Sequence, residues 1–155
     1  MKQPKPLKLE NFLPYRLSLL SNTISSNIAA LYYDKFRLGM AEWRIMAILA
    51  EYPDISADEV CQKTQIEKSV VSRAVGRLLD RHFLERSIDS VDKRRSRLNL
   101  SASGLSVYAE VMPVARSFER KLLAALDTDE QKALKQLLDK LMTKATEMKN
   151  PEAPV

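Results

Sequence analysis

Few residue groups in this sequence are placed to do chemistry, and most of them are cationic. The stretch DKRRSRLNL, Asp92 to Leu100, sets Lys93, Arg94, Arg95 and Arg97 within five residues. Cations so close together repel one another and gain nothing unless an anionic partner meets them. Upstream, Lys68 to Arg81 reads as a helix. At 100° per residue Val71, Ala74, Val75, Leu78 and Leu79 share one face, while Ser69, Ser72, Arg73, Gly76 and Arg77 share the other. That small, polar, basic face suits a helix that enters a major groove roughly 12 Å wide and donates to base edges and phosphates. An ordinary solvated face is the competing reading of this helix alone.

Catalytic chemistry finds little support. His82 is the only histidine and has no serine or cysteine partner in a recognisable arrangement, the three glycines form no phosphate loop, and no His/Cys cluster has metal-ligand spacing. We therefore expect no enzyme, no cofactor and no metal site. The single cysteine, Cys61, excludes an intrachain disulfide. A redox role for Cys61 is the alternative function, but EVCQK places the thiol mid-helix, away from any obvious base or helix N-terminus that would activate it. An ordinary small buried cysteine fits better.

The 155 residues suffice for one domain with a real core, and 45% hydrophobic with 29% charged residues is a folded, soluble composition. The ends, MKQPKPLK and NPEAPV, read as unstructured. No apolar run approaches the roughly 20 residues that span a bilayer, and no signal segment follows the basic start. No membrane association and a cytoplasmic location are expected. The net charge of +5 and pI near 9.3 favour an acidic partner.

The elements that must position the basic groups follow from periodicity. Leu17, Leu20, Ile24, Ile28, Leu31 and Tyr32 predict a helix from Leu13 to Leu38, with Pro14 in its first turn and Gly39 at its end. A second helix runs from about Ala41 to Glu51 and stops at Pro53. Ser56 and Glu59 form a capping-box sequence that starts a third, to about Lys63. After the Lys68 to Arg81 helix, Phe83 to Ile88 and Arg95 to Leu100 read as strands around a turn-rich Asp89 to Lys93. In the second strand Leu98 and Leu100 point one way and Arg97 and Asn99 the other. Asp92 is close enough in sequence to pair with Arg97 and brace the tip, leaving Lys93, Arg94 and Arg95 to project towards phosphates or a narrow minor groove. Leu105, Tyr108, Val111, Met112, Ala115, Phe118 and Leu122 predict a long helix from Ser101 to about Leu126. Thr128 to Gln131 is read as the cap of a last helix carrying Leu134, Leu137, Leu138, Leu141 and Met142. The fold class is mainly α with a small β-hairpin wing.

At this point the sequence resembles the MarR family of winged helix-turn-helix transcriptional regulators. Asp92, Arg94 and Arg97 in DKRRSR match its D-x-R-x-x-R wing signature. KSVVSRAVGRLLDRHFLER looks like its recognition helix and first wing strand, and LNLSASG like the exit into the next helix. One departure is His82, where many members have glycine. The resemblance implies a single chain, 1–155, with a DNA-binding lobe at 41–100 and long dimerisation helices at 12–38 and 101–149. It implies a homodimer that meets two half-sites of a palindromic operator about ten base pairs apart on double-stranded DNA. The excess of apolar stripe at both ends agrees with burial against a second copy. On that footing Ser69, Ser72, Arg73 and Arg77 are expected in the major groove, Arg94 at the wing tip, Lys93 and Arg95 on phosphates, and Asp92 and Arg97 as the brace.

The family further implies a small aromatic effector, a carboxylate or its coenzyme A thioester, that releases a repressor from DNA. Tyr15, Arg16, Asn22, Trp43, Arg44 and Met112 are the candidate lining, with rings and a thioether for the apolar body and guanidinium for the carboxylate. Core packing for Trp43 and Met112, and ion pairing for Arg16 and Arg44, are the ordinary alternatives.

Overall fold

The computed structural model describes residues 7–88 and 96–149. A 3-10 turn at Leu9–Asn11 leads into α1 (Leu13–Phe36), α2 (Met40–Glu51), α3 (Ala57–Thr64), α4 (Lys68–Asp80), an antiparallel hairpin of β1 (Leu84–Ile88) and β2 (Ser96–Leu100), then α5 (Ala102–Leu123) and α6 (Thr128–Lys149). Winged helix-turn-helix architecture is thus present as expected. The chain divides into two compact units, Met1–Ala115 and Arg116–Val155.

In the first unit one apolar core gathers Tyr32 and Leu38, Ile45, Met46 and Leu49 of α2, Val60 of α3, Val71, Ala74, Val75 and Leu78 of α4, and Leu84, Leu98 and Leu100 of the hairpin. The apolar face assigned to α4 by its period is the face that is buried. Burying each large aliphatic side chain contributes about 1.5–3 kcal/mol relative to exposure. The hairpin register pairs Leu84 with Leu100 and Arg86 with Leu98. On its other edge β2 joins Ile55, whose carbonyl accepts the Leu98 N–H at 2.8 Å. Leu98 is therefore flanked by backbone partners on both sides.

Several boundaries differ from the sequence expectation. α1 ends at Phe36, and Arg37, not Gly39, takes the left-handed cap at φ 51°, its N–H donating to the Tyr33 carbonyl at 2.7 Å. Leu38 then plugs into the core fully buried, and Gly39 opens α2 in an extended conformation instead. α5 stops at Leu123, short of Leu126. The cap of α6 is Asp127 rather than Thr128: its Oδ1 accepts from the Asp129 and Glu130 amides, both at 2.9 Å, and Glu130 accepts back from the Asp127 N–H at 2.9 Å. The reciprocal box is shifted by one residue because a carboxylate reaches both amides of the first turn. His82 adopts φ 56°, the left-handed conformation that favours glycine, and its carbonyl accepts from the Ser101 and Ser103 hydroxyls. Those two hydrogen bonds hold the turn in place.

Gly104, in the first turn of α5, lies where that helix meets the start of the hairpin. A Cβ there would stand 2.0 Å from the Phe83 carbonyl oxygen. Because the obstacle is backbone, Gly104→Ala should destabilise the protein by about 3 kcal/mol or more, at or beyond the upper end of ordinary overpacking. Gly76 has nothing within 4 Å of an added Cβ. Gly76→Ala should instead stabilise by about 0.5–1 kcal/mol through helix propensity. Urea unfolding of both variants checks the pair.

Candidate nucleic-acid interface

α4 presents Ser69, Ser72, Arg73 and Arg77 as exposed residues opposite its buried stripe, so the four groups expected on one face are on it. They are not equivalent. The Ser69 hydroxyl donates to Glu67 Oε1 at 2.7 Å, which occupies its proton but leaves its oxygen free to accept. The Arg77 Nε lies 2.6 Å from Glu42 Oε1 on α2, while the arginine side chain as a whole stays 56% exposed. Arg73, one turn earlier, is exposed beside Ser72. At the head of α4, Lys68 pairs with Asp58 of α3 at 2.9 Å, and that hydrogen bond, followed by the Asp58 charge, raises the lysine above its ordinary range.

Asp92, Lys93, Arg94 and Arg95 lie outside the described residues. The root of the wing is described. Arg97 Nη1 donates to the Asp54 carbonyl at 3.1 Å and lies 3.4 Å from Glu59 Oε2. Asn99, on the same side of β2, accepts the Asp54 N–H at 2.7 Å. The polar side of β2 is thus fastened to the loop before α3, and the apolar side to the core. Asp54 itself has φ 60°, a geometry its short polar side chain tolerates.

α3 begins with the expected box. Ser56 Oγ accepts the Glu59 amide at 3.2 Å, and Glu59 Oε2 accepts the Ser56 amide at 2.8 Å and its hydroxyl at 2.9 Å. The Ser56 amide chiefly, then its hydroxyl, with a smaller push from Arg97, holds the Glu59 carboxyl below the ordinary carboxylate range. Cys61 is a half-buried side chain packed against the core, and nothing in its setting favours the redox alternative.

The candidate effector residues separate into two groups. Trp43 lies between Tyr32 and Tyr108, at ring-centroid distances of 5.7 Å and 5.5 Å, stacked on the latter. Arg44, next to it in sequence, donates from Nη2 to Ser25 Oγ at 3.1 Å, and Ser25 is buried. Met112 is half-buried on α5 beside the buried Val111. Tyr15, Arg16 and Asn22 are exposed on the N-terminal half of α1, with Tyr15 about 15 Å along the axis from Ser25. Sequence reasoning does not reach Ser25, Tyr32, Tyr108 and Glu42 as site residues. Ser25 and Tyr32 are two turns apart on one face of α1, a signal that reads equally well as core. The Tyr32 hydroxyl is buried and hydrogen-bonded to no described residue. Burial pushes its pKa up to about 12, Arg44 pulling against the shift and Glu42 adding to it.

The family model of the MarR family matches residues 38–95, which span α2 to the wing. The transcriptional regulator HosA of Escherichia coli O127:H6 is 28% identical over 101 residues, 65% of this chain and 75% of its own. A MarR/EmrR family transcriptional regulator from Acinetobacter sp. ADP1 superposes with a TM-score of 0.83 at 28% identity, over 91% of this chain and 99% of its own. Both of these similar proteins are transcriptional regulators. From α2 to the wing the chain is similar to the MarR family. At lower identity the fold alone is shared with a mutant MarR from Escherichia coli complexed with operator DNA (TM-score 0.77, 20% identity, 88% of this chain and 99% of its own). The same holds for PcaV of Streptomyces coelicolor in complex with its natural ligand (0.75, 21%, 92% and 99%).

The depressed Glu59 carboxyl makes the contribution of the wing root pH-dependent. A carboxyl held below its ordinary range stabilises the fold fully above that range and loses the contribution as the pH falls through its depressed value. Glu59→Gln should therefore lose less stability than the parent between about pH 5 and about pH 3. At neutral pH, Ser56→Ala should cost about 1 kcal/mol. Chemical denaturation across a pH series reads both.

Proposed function

We propose that the protein is a homodimeric repressor that reads a palindromic operator through α4 and the wing, and leaves it when a small aromatic acid or its coenzyme A thioester binds. The observation that carries the DNA-reading part is the division of α4 into a buried apolar stripe and an exposed face bearing Ser69, Ser72, Arg73 and Arg77. Arginine is the side chain suited to bidentate contact with guanine, and Arg73 is the first choice here. Arg94 serves the wing tip, with Lys93 and Arg95 on phosphates and Asp92 with Arg97 as the brace. The regulator acts where the chromosome is, in the cytoplasm, and among the described residues no helix is long and apolar enough to cross a membrane.

Dimerisation is supported by apolar surface the chain leaves open. Leu9, Phe12, Leu13, Leu17, Leu19 and Leu20 near the start are between 39% and 54% exposed. On α6 Leu137, Leu138, Leu141 and Met142 are between 43% and 70% exposed. Water-facing stripes of this extent are the signature of an interface. Residues 12–38 and 101–149 are its proposed source, and 41–100 the proposed DNA-binding lobe. Replacing Leu137 and Leu141 together by Glu should yield a monomer by light scattering, with operator affinity strongly reduced.

For the effector, Trp43 and Tyr108 offer aromatic faces, Arg44 a guanidinium and Tyr32 an unused buried hydroxyl, with Met112 on the same helix as Tyr108 and Tyr15, Arg16 and Asn22 on the outer turns of α1. A ligand releases DNA only by binding one conformational state more tightly than the other.

Fluorescence anisotropy on a duplex enriched from a randomised pool tests these assignments. Arg73→Ala should weaken binding about tenfold, the loss of one good base contact. Arg94→Ala should reduce the salt slope by about one. An unchanged slope sinks the wing assignment. With a panel of aromatic carboxylates and their coenzyme A thioesters, Arg44→Gln should abolish ligand-induced release while DNA affinity stays close to that of the parent. Release that survives the substitution would remove Arg44 from the site.

A further inference from the structure

The C-terminal half of α4 is fastened to the corner where α1 turns into α2 through Arg81 and Arg77, the latter also lying on the face proposed to read DNA. Arg81, which caps α4, donates from Nη1 to the Arg37 carbonyl at 3.0 Å and from Nη2 to the Phe36 carbonyl. Both acceptors are at the C-terminal end of α1, where unpaired carbonyls and the helix dipole favour a cation. The Arg81 guanidinium also lies 4.5 Å from the centroid of the Phe83 ring, which holds it from the hairpin side. One turn earlier on α4, the Arg77 Nε meets Glu42 Oε1 at 2.6 Å. The other carboxylate oxygen of Glu42 accepts the Gly39 N–H at 2.5 Å.

Glu42 is only 5% exposed. A carboxylate that deep is costly to bury and persists where its partners are fixed. It is too enclosed to touch a duplex. Gly39 belongs to the arrangement, since a Cβ there would stand 3.1 Å from Glu42 Oε2.

We infer that Glu42, Arg77 and Arg81 form an ionic clamp that sets the angle of the reading helix on the lobe. Glu42 and Arg81 are positioning residues, Arg77 links them to the reading face, and the clamp governs discrimination between operator and other DNA more than attraction to DNA in general. The apolar stripe of α4 holds it against the core but resists rotation and sliding weakly, because hydrophobic burial is non-directional. Two hydrogen-bonded cations one turn apart supply the direction. Base contacts need fixed geometry, whereas phosphate attraction tolerates a tilted helix. The inference rests on the DNA-reading role proposed above.

Two measurements test it. In the free protein, amide hydrogen exchange of Glu42→Gln and of Arg81→Lys should speed up about tenfold in the last turns of α4 and stay unchanged in α2. Glutamine keeps an acceptor for the Gly39 N–H, and lysine keeps the charge but not the two-carbonyl fork, so both variants retain the fold. On DNA, each should lose about tenfold in affinity for the enriched duplex and less than about twofold for a random duplex of equal length. The double variant Glu42→Gln with Arg77→Ala should bind no worse than Arg77→Ala alone, because Glu42 acts through Arg77. Unchanged exchange in α4, parallel losses on both duplexes, or additive effects in the double variant would each overturn the clamp. If the parent protein enriches no duplex while exchange in α4 does respond, the DNA-reading proposal is what fails, and the positioning role falls with it.

Discussion

α4 must satisfy two environments at once, and the rest of the lobe is built around that constraint. Val71, Ala74, Val75 and Leu78 are almost fully removed from water, which requires α2, α3 and the hairpin to close around them. Ser72 and Arg73, one residue away from those positions, stay exposed. On the outward face Arg77 is tied to Glu42 and Ser69 to Glu67, while Ser72 and Arg73 stand exposed beside them. Hydrophobic burial fixes which face is offered, and only polar contacts can fix at what angle.

The wing root solves a similar problem with different means. β2 is covered on its apolar side through Leu98 and Leu100, and on its polar side Arg97 and Asn99 reach the loop at Asp54. A two-stranded hairpin alone is marginal in water. Here the bridge from Ile55 to Leu98 adds a third partner, and the Ser56 to Glu59 box pins the same loop to α3. The base of the hairpin is therefore held from three directions.

The polar cluster at α1 and α2 is less legible. Trp43 and Arg44 stand out as residue types, but their neighbours Ser25, Tyr32 and Tyr108 come from α1 and α5, distant in sequence. In the sequence Tyr32 is one more apolar position on a helical stripe, and the structure agrees that it is buried. What the stripe cannot reveal is that its hydroxyl would be buried without a described partner. Tyr15, Arg16 and Asn22 are selected by chemistry alone, and exposure on α1 separates them from the buried Tyr32 and Ser25.

By itself the sequence determined the order of elements, the buried face of α4, the alternation in β2 and the cap at Ser56. Each depends on residues within a few positions of one another, and local periodicity and capping carry that information. The end of α1 at Arg37, the Asp127 cap and the left-handed His82 turned on which of several adjacent residues the surroundings selected. Only the tertiary structure decided that Glu42 would be buried against Arg77, that Arg81 would reach the end of α1, and that Arg97 would fasten to Asp54 and Glu59. These pairs are separated by 35 to 45 residues. A charged side chain in a sequence can name the chemistry it seeks but not the partner, because that choice is made when the helices pack.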